Sequence, residues 1–255
     1  MSRISTCIIT YNEEKNIKDC ILSVKEFSDE ILVVDSLSSD NTVKIAESLG
    51  AKVIKQKFLG HVKQKQFAVD NAKFDWIFSL DADERATQEL AKKILELKKN
   101  NFNGYNAFFV NRRNYYLGKW IKYGGWYPEK RIRLFNRKYG YWGGVNPHDK
   151  VIIKQNAKVG DLNLDIIHFP YRDITHHLEV INKYSTISAN EKILKNEKVH
   201  FYNLILNPTI KFIKMYFFKR GFLMGKIGFI HAVMGSISVF MKYLKTWELQ
   251  NEKKR

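Results

Sequence analysis

Trp76-Ile77-Phe78-Ser79-Leu80-Asp81-Ala82-Asp83-Glu84 decides how this chain is read. An apolar run of strand length ends, and two carboxylates emerge one residue apart. Side chains alternate along an extended segment, so Asp81 and Asp83 can point the same way. Two like charges held together are unfavourable unless a cation neutralises them. Hard oxygen ligands at the carboxyl end of a strand suit Mg²⁺ or Mn²⁺ carried in with a substrate diphosphate. In open α/β sheets, ligands bind at that end of the strands. The plain alternative is a solvated turn with a helix cap at Asp83, since short acidic triplets are common.

Working outward, Ile4 to Thr10 reads as a buried strand and Tyr11-Asn12-Glu13-Glu14 as the turn after it. A helix follows with Ile17, Ile21, Leu22 and Val24 on its apolar face. Glu30 to Asp35 is a second strand ending in an acid, and the polar loop Ser36 to Thr42 supplies N-cap chemistry for a helix over Val43 to Leu49. Gly50 stops that helix. Ala51 to Ile54 is a third strand, Lys63 to Ala72 a third helix, and Trp76 to Leu80 the fourth strand. Such alternation predicts an α/β fold with a mostly parallel central sheet flanked by helices. Right-handed crossovers then bring the strand ends Thr10, Asp35 and Asp81 to one edge. Taken singly, Asp35 could simply cap the next turn and Tyr11 could be core, while Lys65 reads first as an ordinary surface lysine on a helix.

This half resembles family 2 glycosyltransferases with the GT-A fold, the nucleotide-diphospho-sugar transferase fold. The resemblance rests on Thr10-Tyr11-Asn12-Glu13-Glu14, Val33-Val34-Asp35-Ser36, Gln64-Lys65-Gln66 and Asp81-Ala82-Asp83-Glu84, in order and in register. Gln66 stands where relatives usually carry Asn. The resemblance implies inverting transfer from a nucleotide-activated sugar, usually a UDP sugar. It implies that Thr10, Tyr11, Asn12 and Glu13 line the base and ribose pocket, that Asp35 holds the uracil or ribose, and that Lys65 lies near the nucleotide. Asp81, Ala82 and Asp83 would meet the diphosphate, with Asp81 and Asp83 holding it through Mg²⁺ or Mn²⁺.

Residues 101 to 170 are aromatic, basic and punctuated by glycine. Tyr105 to Asn111, Arg131 to Phe135, Val151 to Ile153 and Leu164 to His168 read as strands, with loops around Leu117-Gly118-Lys119-Trp120 and Gly124-Gly125-Trp126-Tyr127-Pro128. Together with Arg133-Leu134-Phe135 and His148-Asp149, these loops resemble a subgroup of bacterial transferases that extend the lipopolysaccharide inner core, and related cell-surface glycan enzymes. Members of that subgroup usually show Val-His-Glu where this chain has Pro147-His148-Asp149. Inverting transfer needs a base to take the proton from the acceptor hydroxyl. Asp149 is the first candidate, and His148 the second, as base or as orienter of the leaving diphosphate. His168 ends an apolar strand and reads as structural, or as a third metal or diphosphate contact. Trp126 and Tyr127 offer flat faces for a sugar, and Arg131 and Arg133 offer guanidinium groups for a phosphate. Exposed arginines on an edge strand are the bland alternative.

The rest of the chain bounds these readings. The 255 residues are 45% hydrophobic, enough for a sizeable core. We divide them into a nucleotide-sugar-binding half over 1–100, an acceptor-binding half over 101–170 and a C-terminal amphipathic helical region over 171–255. Cys7 and Cys20 lack metal-ligand spacing and read as buried, reduced thiols. The chain opens directly on its first strand without a signal peptide, which predicts a cytoplasmic protein. A net charge of +17, from 43 Lys plus Arg against 26 Asp plus Glu, implies attraction to polyanions. In the last third, a helix over 171 to 199 is followed by a break at Asn207-Pro208. A last helix runs from about Gly225 to Leu249. Its apolar run between Lys226 and Lys242 is shorter than the ~20 residues a membrane span needs. Aromatic residues interleaved with lysine predict instead peripheral binding to the anionic inner face of the cytoplasmic membrane, the alternative being helices that pack on the catalytic domain or on a second subunit of a homodimer.

The expected reaction is metal-dependent transfer from a UDP-hexose such as UDP-glucose to a lipopolysaccharide-core or other cell-surface glycan. A sugar-phosphate nucleotidyltransferase would carry a Gly-rich first turn ending in Arg and followed by Lys; here that turn is Thr10-Tyr11-Asn12-Glu13. A dinucleotide-binding dehydrogenase lacks its G-x-G-x-x-G. A non-catalytic basic protein on nucleic acid or membrane would explain the charge but not the aligned acidic strand ends, and nucleic acid is not the expected partner.

Overall fold

The computed structural model of the chain describes residues 2–145 and 148–252. Its strands are β1 (Ile4–Thr10), β2 (Glu30–Asp35), β3 (Lys52–Lys55), β4 (Trp76–Asp81), β5 (Glu84–Ala86), β6 (Ala107–Tyr116), β7 (Lys119–Trp120), β8 (Glu129–Asn136), β9 (Gly140–Val145), β10 (His148–Ile153) and β11 (Val159–His168). Its α-helices are α1 (Ile17–Val24), α2 (Thr42–Ser48), α3 (His61–Asp70), α4 (Gln88–Lys99), α5 (Ile174–Leu194), α6 (Phe201–Ile213) and α7 (Lys226–Glu252). The chain divides into two units: residues 1–112 with 129–168, and residues 113–128 with 169–255.

In the first unit the strand order is β3-β2-β1-β4-β8-β6-β11-β5. β1 to β4 are parallel, as their helical crossovers require. From β8 onward the recorded pairings are antiparallel. The alternation of buried side chains explains why β4 is apolar throughout. Trp76, Phe78 and Leu80 join the core that includes Ile4, Ile8, Val33 and α1, whereas Ile77 joins Cys7, Leu32, Val34 and α3 on the opposite face. Both cysteines are buried and free.

Three details differ from the sequence reading. The buried face of α1 is Ile17, Cys20, Ile21 and Val24; Leu22 faces solvent. Asp83 does not cap a helix. The chain turns at Ala82 and Asp83 and enters β5, which pairs antiparallel with β11 and sets His168 opposite Glu84. Helix α4, which the sequence reading passed over, begins only at Gln88, capped by Thr87 Oγ1 accepting from Leu90 N–H at 3.3 Å.

In the second unit, the end of β6 pairs with β7, Tyr115 with Trp120 and Tyr116 with Lys119. Helices α5 and α6 both pack against α7. Pro208 does not end a helix as its sequence context suggested; it lies buried inside α6, and Ser236 Oγ of α7 donates to its carbonyl at 2.9 Å. α7 is long and apolar enough by length and composition to cross a membrane, which the length of its central run did not indicate.

Candidate active site

The site grows from the carboxyl ends of parallel strands. Register places Thr10 beside Asp35 and Ile9 beside Asp81, so the three predicted strand ends do share one edge. Two loops lace together above β1 and β2. Asp35 is fully buried and accepts from the Ser38 backbone N–H at 2.9 Å and from Ser38 Oγ. Asn12 N–H donates to Ser38 Oγ at 2.8 Å, and Asn12 Oδ1 accepts from Ser39 N–H at 2.9 Å. Glu13 N–H donates to Thr42 Oγ1 at 2.8 Å. Asn12 and Leu37 both adopt left-handed backbone, at φ 53° and 66°. Within this cradle Tyr11 is exposed and Thr10 Oγ1 is buried without a hydrogen-bond partner, a flat face and a free hydroxyl at the sheet edge.

Helix α3 contributes three consecutive residues with three separate contacts. Gln64 Nε2 donates to Ser36 Oγ and to the Gln56 carbonyl, each at 3.2 Å, tying the helix to β2 and β3. Gln66 Oε1 accepts from Trp142 N–H at 2.8 Å, tying it to β9. Between them Lys65 is buried, and its Nζ lies 2.9 Å from Asp81 Oδ1 and 2.8 Å from Asp149 Oδ2. The Trp142 ring lies under that ammonium at 4.7 Å. Lys65 is therefore a buried bridge between two carboxylates rather than a surface residue.

A second cation, Arg133, comes from β8, an interior strand rather than an edge. It is buried, donates to Glu84 Oε1 at 2.5 Å, and approaches Asp81 Oδ2 at 3.5 Å. Glu84 is fully buried; it also meets Arg112 at 3.5 Å and accepts from Asp81 N–H at 3.0 Å. Arg112 continues to Glu129, which also holds the half-exposed Arg131. The carboxylates Asp81, Glu84, Asp149 and Glu129 are thus matched by Lys65, Arg112, Arg131 and Arg133. Burial pushes the Asp81 carboxyl up, but Lys65, Arg133 and Arg112 outweigh it and hold the group well below the usual carboxylate range. For Asp149 burial likewise works upward, and Lys65 and Arg133 bring it below its ordinary value. Burial opposes the charge on Arg133, yet Glu84, Asp81 and Asp149 raise its pKa and keep it protonated.

Asp83 stands outside this neutral network. Its Oδ2 lies 3.3 Å from His168 Nε2, and its Oδ1 is buried without a hydrogen-bond partner. A buried carboxylate oxygen without a donor is costly unless a ligand supplies the missing charge. The residues therefore fit a divalent cation at Asp83 with His168 beside it, while Asp81 is already engaged by Lys65 and Arg133. Among the described residues no group of three or more ligand side chains surrounds one point. Such a cation would take its remaining ligands from a bound diphosphate, the usual habit of Mg²⁺.

Three further candidates are His148, Trp126 and Tyr127. His148 belongs to β10 by its backbone, paired with Val145; its side chain, and the preceding Pro147, lie outside the described residues. Trp126 and Tyr127 belong to the second unit, where Trp126 packs on His231 with centroids 3.9 Å apart and on Tyr116 at 5.7 Å. Sequence reasoning assigned no role to Glu84, Arg112 or Trp142. Glu84 alone carried a signal, as a third acid following two others at the end of an apolar strand.

The family model Glycosyl transferase family 2 matches residues 5–157. The chain belongs to glycosyl transferase family 2. It is 34% identical to an uncharacterised glycosyltransferase of Rickettsia typhi, over 98% of this chain and 88% of that protein. It is 30% identical to LpsC of Rhizobium meliloti, a lipopolysaccharide core biosynthesis glycosyltransferase, over 96% and 92%. Among solved structures, residues 1–349 of S. aureus TarS in complex with UDP-GlcNAc align over 99% of this chain and 92% of that one, at 14% identity and a TM-score of 0.51. This family 2 chain shares the GT-A-like architecture with TarS, as its strand order leads one to expect.

Proposed function

We propose that the chain is an inverting, cation-assisted transferase that moves a hexose from a UDP sugar, such as UDP-glucose, onto a lipopolysaccharide-core or related cell-surface glycan at the cytoplasmic face of the membrane. The observation that carries this reading is the Lys65 bridge. It places the proposed base, Asp149, and a carboxylate of the proposed diphosphate site, Asp81, within hydrogen-bonding reach of a single ammonium. Donor and acceptor chemistry then share one small space.

The residues divide the work. Tyr11 stacks on the base, and the Thr10 hydroxyl and the Asn12–Ser39 loop line the nucleoside. Asp83, with His168, would hold the divalent cation, which when bound offsets charge building on the departing diphosphate. Lys65 and Arg133 fix the carboxylates and add positive potential at the same place. Asp149 takes the proton from the acceptor hydroxyl as its oxygen bonds to the anomeric carbon. The bond from that carbon to the diphosphate oxygen breaks on the opposite side, and its electron pair leaves with the UDP. The acceptor class rests on likeness to the Rhizobium meliloti core transferase over nearly the whole chain.

The test is UDP release by the purified chain from a panel of UDP hexoses, with truncated lipopolysaccharide from a strain lacking this gene as acceptor. One donor should give acceptor-dependent UDP release and a mass increase of one hexose on the glycan. Pyrophosphate release from UTP and a sugar 1-phosphate, with no transfer from any UDP hexose, would replace this reading with a nucleotidyltransferase.

A further inference from the structure

Residues 198–247 contain eight basic residues and no Asp or Glu. The same stretch exposes an unusual amount of apolar surface. On α6, Leu204 and Pro208 are buried, while Phe201, Tyr202, Ile205 and Ile210 face solvent. The π-helical turn over Lys214–Phe218 exposes Phe217 and Phe218, the latter to 79%. The 3₁₀ turn over Gly221–Met224 exposes Phe222 and Leu223. Lys214, Lys219, Arg220 and Lys226 stand among these residues, all of them exposed. A monomeric surface rarely leaves so large an apolar patch without an occupant.

A cavity of about 340 Å³ adjoins the patch, lined by Lys119, Trp120, Lys122, Tyr123 and the turn residues Leu223, Met224 and Gly225. Gly124 N–H donates to the Lys219 carbonyl at 2.8 Å and fixes the loop that carries Lys122 and Tyr123 against that turn. Two ammonium groups beside two aromatic rings suit a phosphate ester with an organic substituent.

We propose that this face of the second unit docks on an anionic phospholipid surface, inserting Phe217, Phe218 and Phe222 while a lipid phosphate enters the Lys119–Lys122 cavity. Charge selects this occupant over a second copy of the chain, which would set the exposed Lys214, Lys219, Arg220 and Lys226 against the same four charges of its partner with no acid between them in 198–247. Insertion of aromatic side chains between headgroups, with lysines at their level, is the pattern of interfacial helices. The face does not depend on the transfer chemistry, so either reading can fail alone.

The experiment is flotation of the purified full chain with phosphatidylcholine vesicles, with or without phosphatidylglycerol, at low and high salt. The chain should float only with the anionic vesicles and come off in high salt. Each basic residue should contribute about fivefold to partitioning, so the Lys119→Glu/Lys122→Glu variant should lose at least tenfold. Phe217→Ser/Phe218→Ser should lose flotation while keeping its circular dichroism spectrum. Equal binding of these variants and the wild type would overturn the proposal, as would no binding by folded wild type. Flotation that resists both salt and alkaline carbonate would overturn it in favour of a spanning α7. A concentration-dependent dimer that Phe217→Ser/Phe218→Ser dissolves, without lipid binding, would assign the face to a second copy.

Discussion

Lys65 is 4% exposed and lies between two aspartates, so its charge is both solvated by them and required by them. Removing one partner of a buried pair leaves the others uncompensated, typically at a cost of about 3–5 kcal/mol. Lys65→Met should therefore lower unfolding free energy by that amount in urea titrations, and abolish transfer as well. Asp149→Asn should act differently, cutting kcat by roughly 10²–10⁴-fold while leaving donor KM nearly unchanged. The low pKa of Asp149 gives this assignment a pH signature. With its pKa held below the ordinary carboxylate value near 3.9, the base stays ionised through neutral and mildly acidic pH, so kcat should hold as pH falls from 7 to about 5. An acid limb centred between about 6 and 7 would point to an imidazole, and His148→Ala would then be the crippled variant. The motif acids and Lys65 were legible as chemistry in the sequence. Their partners were not: Glu84, Arg112 and Trp142 are joined to the motif by sheet register and by the approach of α3, which no local pattern encodes.

Among the elements, the parallel half of the sheet was legible because its strands are apolar on both faces and its loops carry acids and caps. The antiparallel half was less so. β9 is Gly140-Tyr141-Trp142-Gly143-Gly144-Val145, which looks like a loop by composition. Its glycines admit close neighbours instead: a Cβ at Gly143 would come within 2.4 Å of Ile152 of β10. Pro208 misled for a related reason, since tertiary packing on α7 outweighs the local penalty of a proline inside a helix. That packing is tight. A Cβ on Gly228 of α7 would fall 1.9 Å from the Gly221 carbonyl oxygen, so the backbone itself must move to admit it. Gly228→Ala should destabilise the second unit by about 1–3 kcal/mol or more, seen as a lower thermal midpoint. In the same unit Tyr116 Oη and His177 Nδ1 share a hydrogen bond of 2.8 Å, and His231 lies buried under Trp126. Burial, with His176 beside it, lowers the His177 pKa to about 4. Burial, with His177 and Lys211 nearby, lowers His231 to about 4. Both rings are neutral when folded and gain protons when unfolded, so their stability contribution is complete above about 6.5 and declines as pH falls toward 4. The thermal midpoint should drop between pH 7 and 5, as the unfolded chain takes up protons that the folded rings refuse. A midpoint independent of pH over that range would contradict the burial of these rings.

For the molecule as a whole, a net charge of +17 coexists with a proposed catalytic network in which four carboxylates meet four cations. The excess positive charge is therefore carried elsewhere, much of it on the acid-free stretch 198–247. Beside the network, Asp83 Oδ1 is buried without a hydrogen-bond donor, and unlike Asp81 Oδ1, which lies 2.9 Å from the Lys65 ammonium, it has no recorded cation beside it among the described residues. Calorimetric titration of UDP into the wild type and Asp83→Asn, each with and without Mn²⁺, tests a divalent cation at that oxygen most directly. Mn²⁺ should tighten UDP binding to the wild type at least tenfold and have no effect on Asp83→Asn, whose metal-free affinity should match the wild type. Equal affinity with and without Mn²⁺ in the wild type, or an undiminished Mn²⁺ effect in Asp83→Asn, would contradict it.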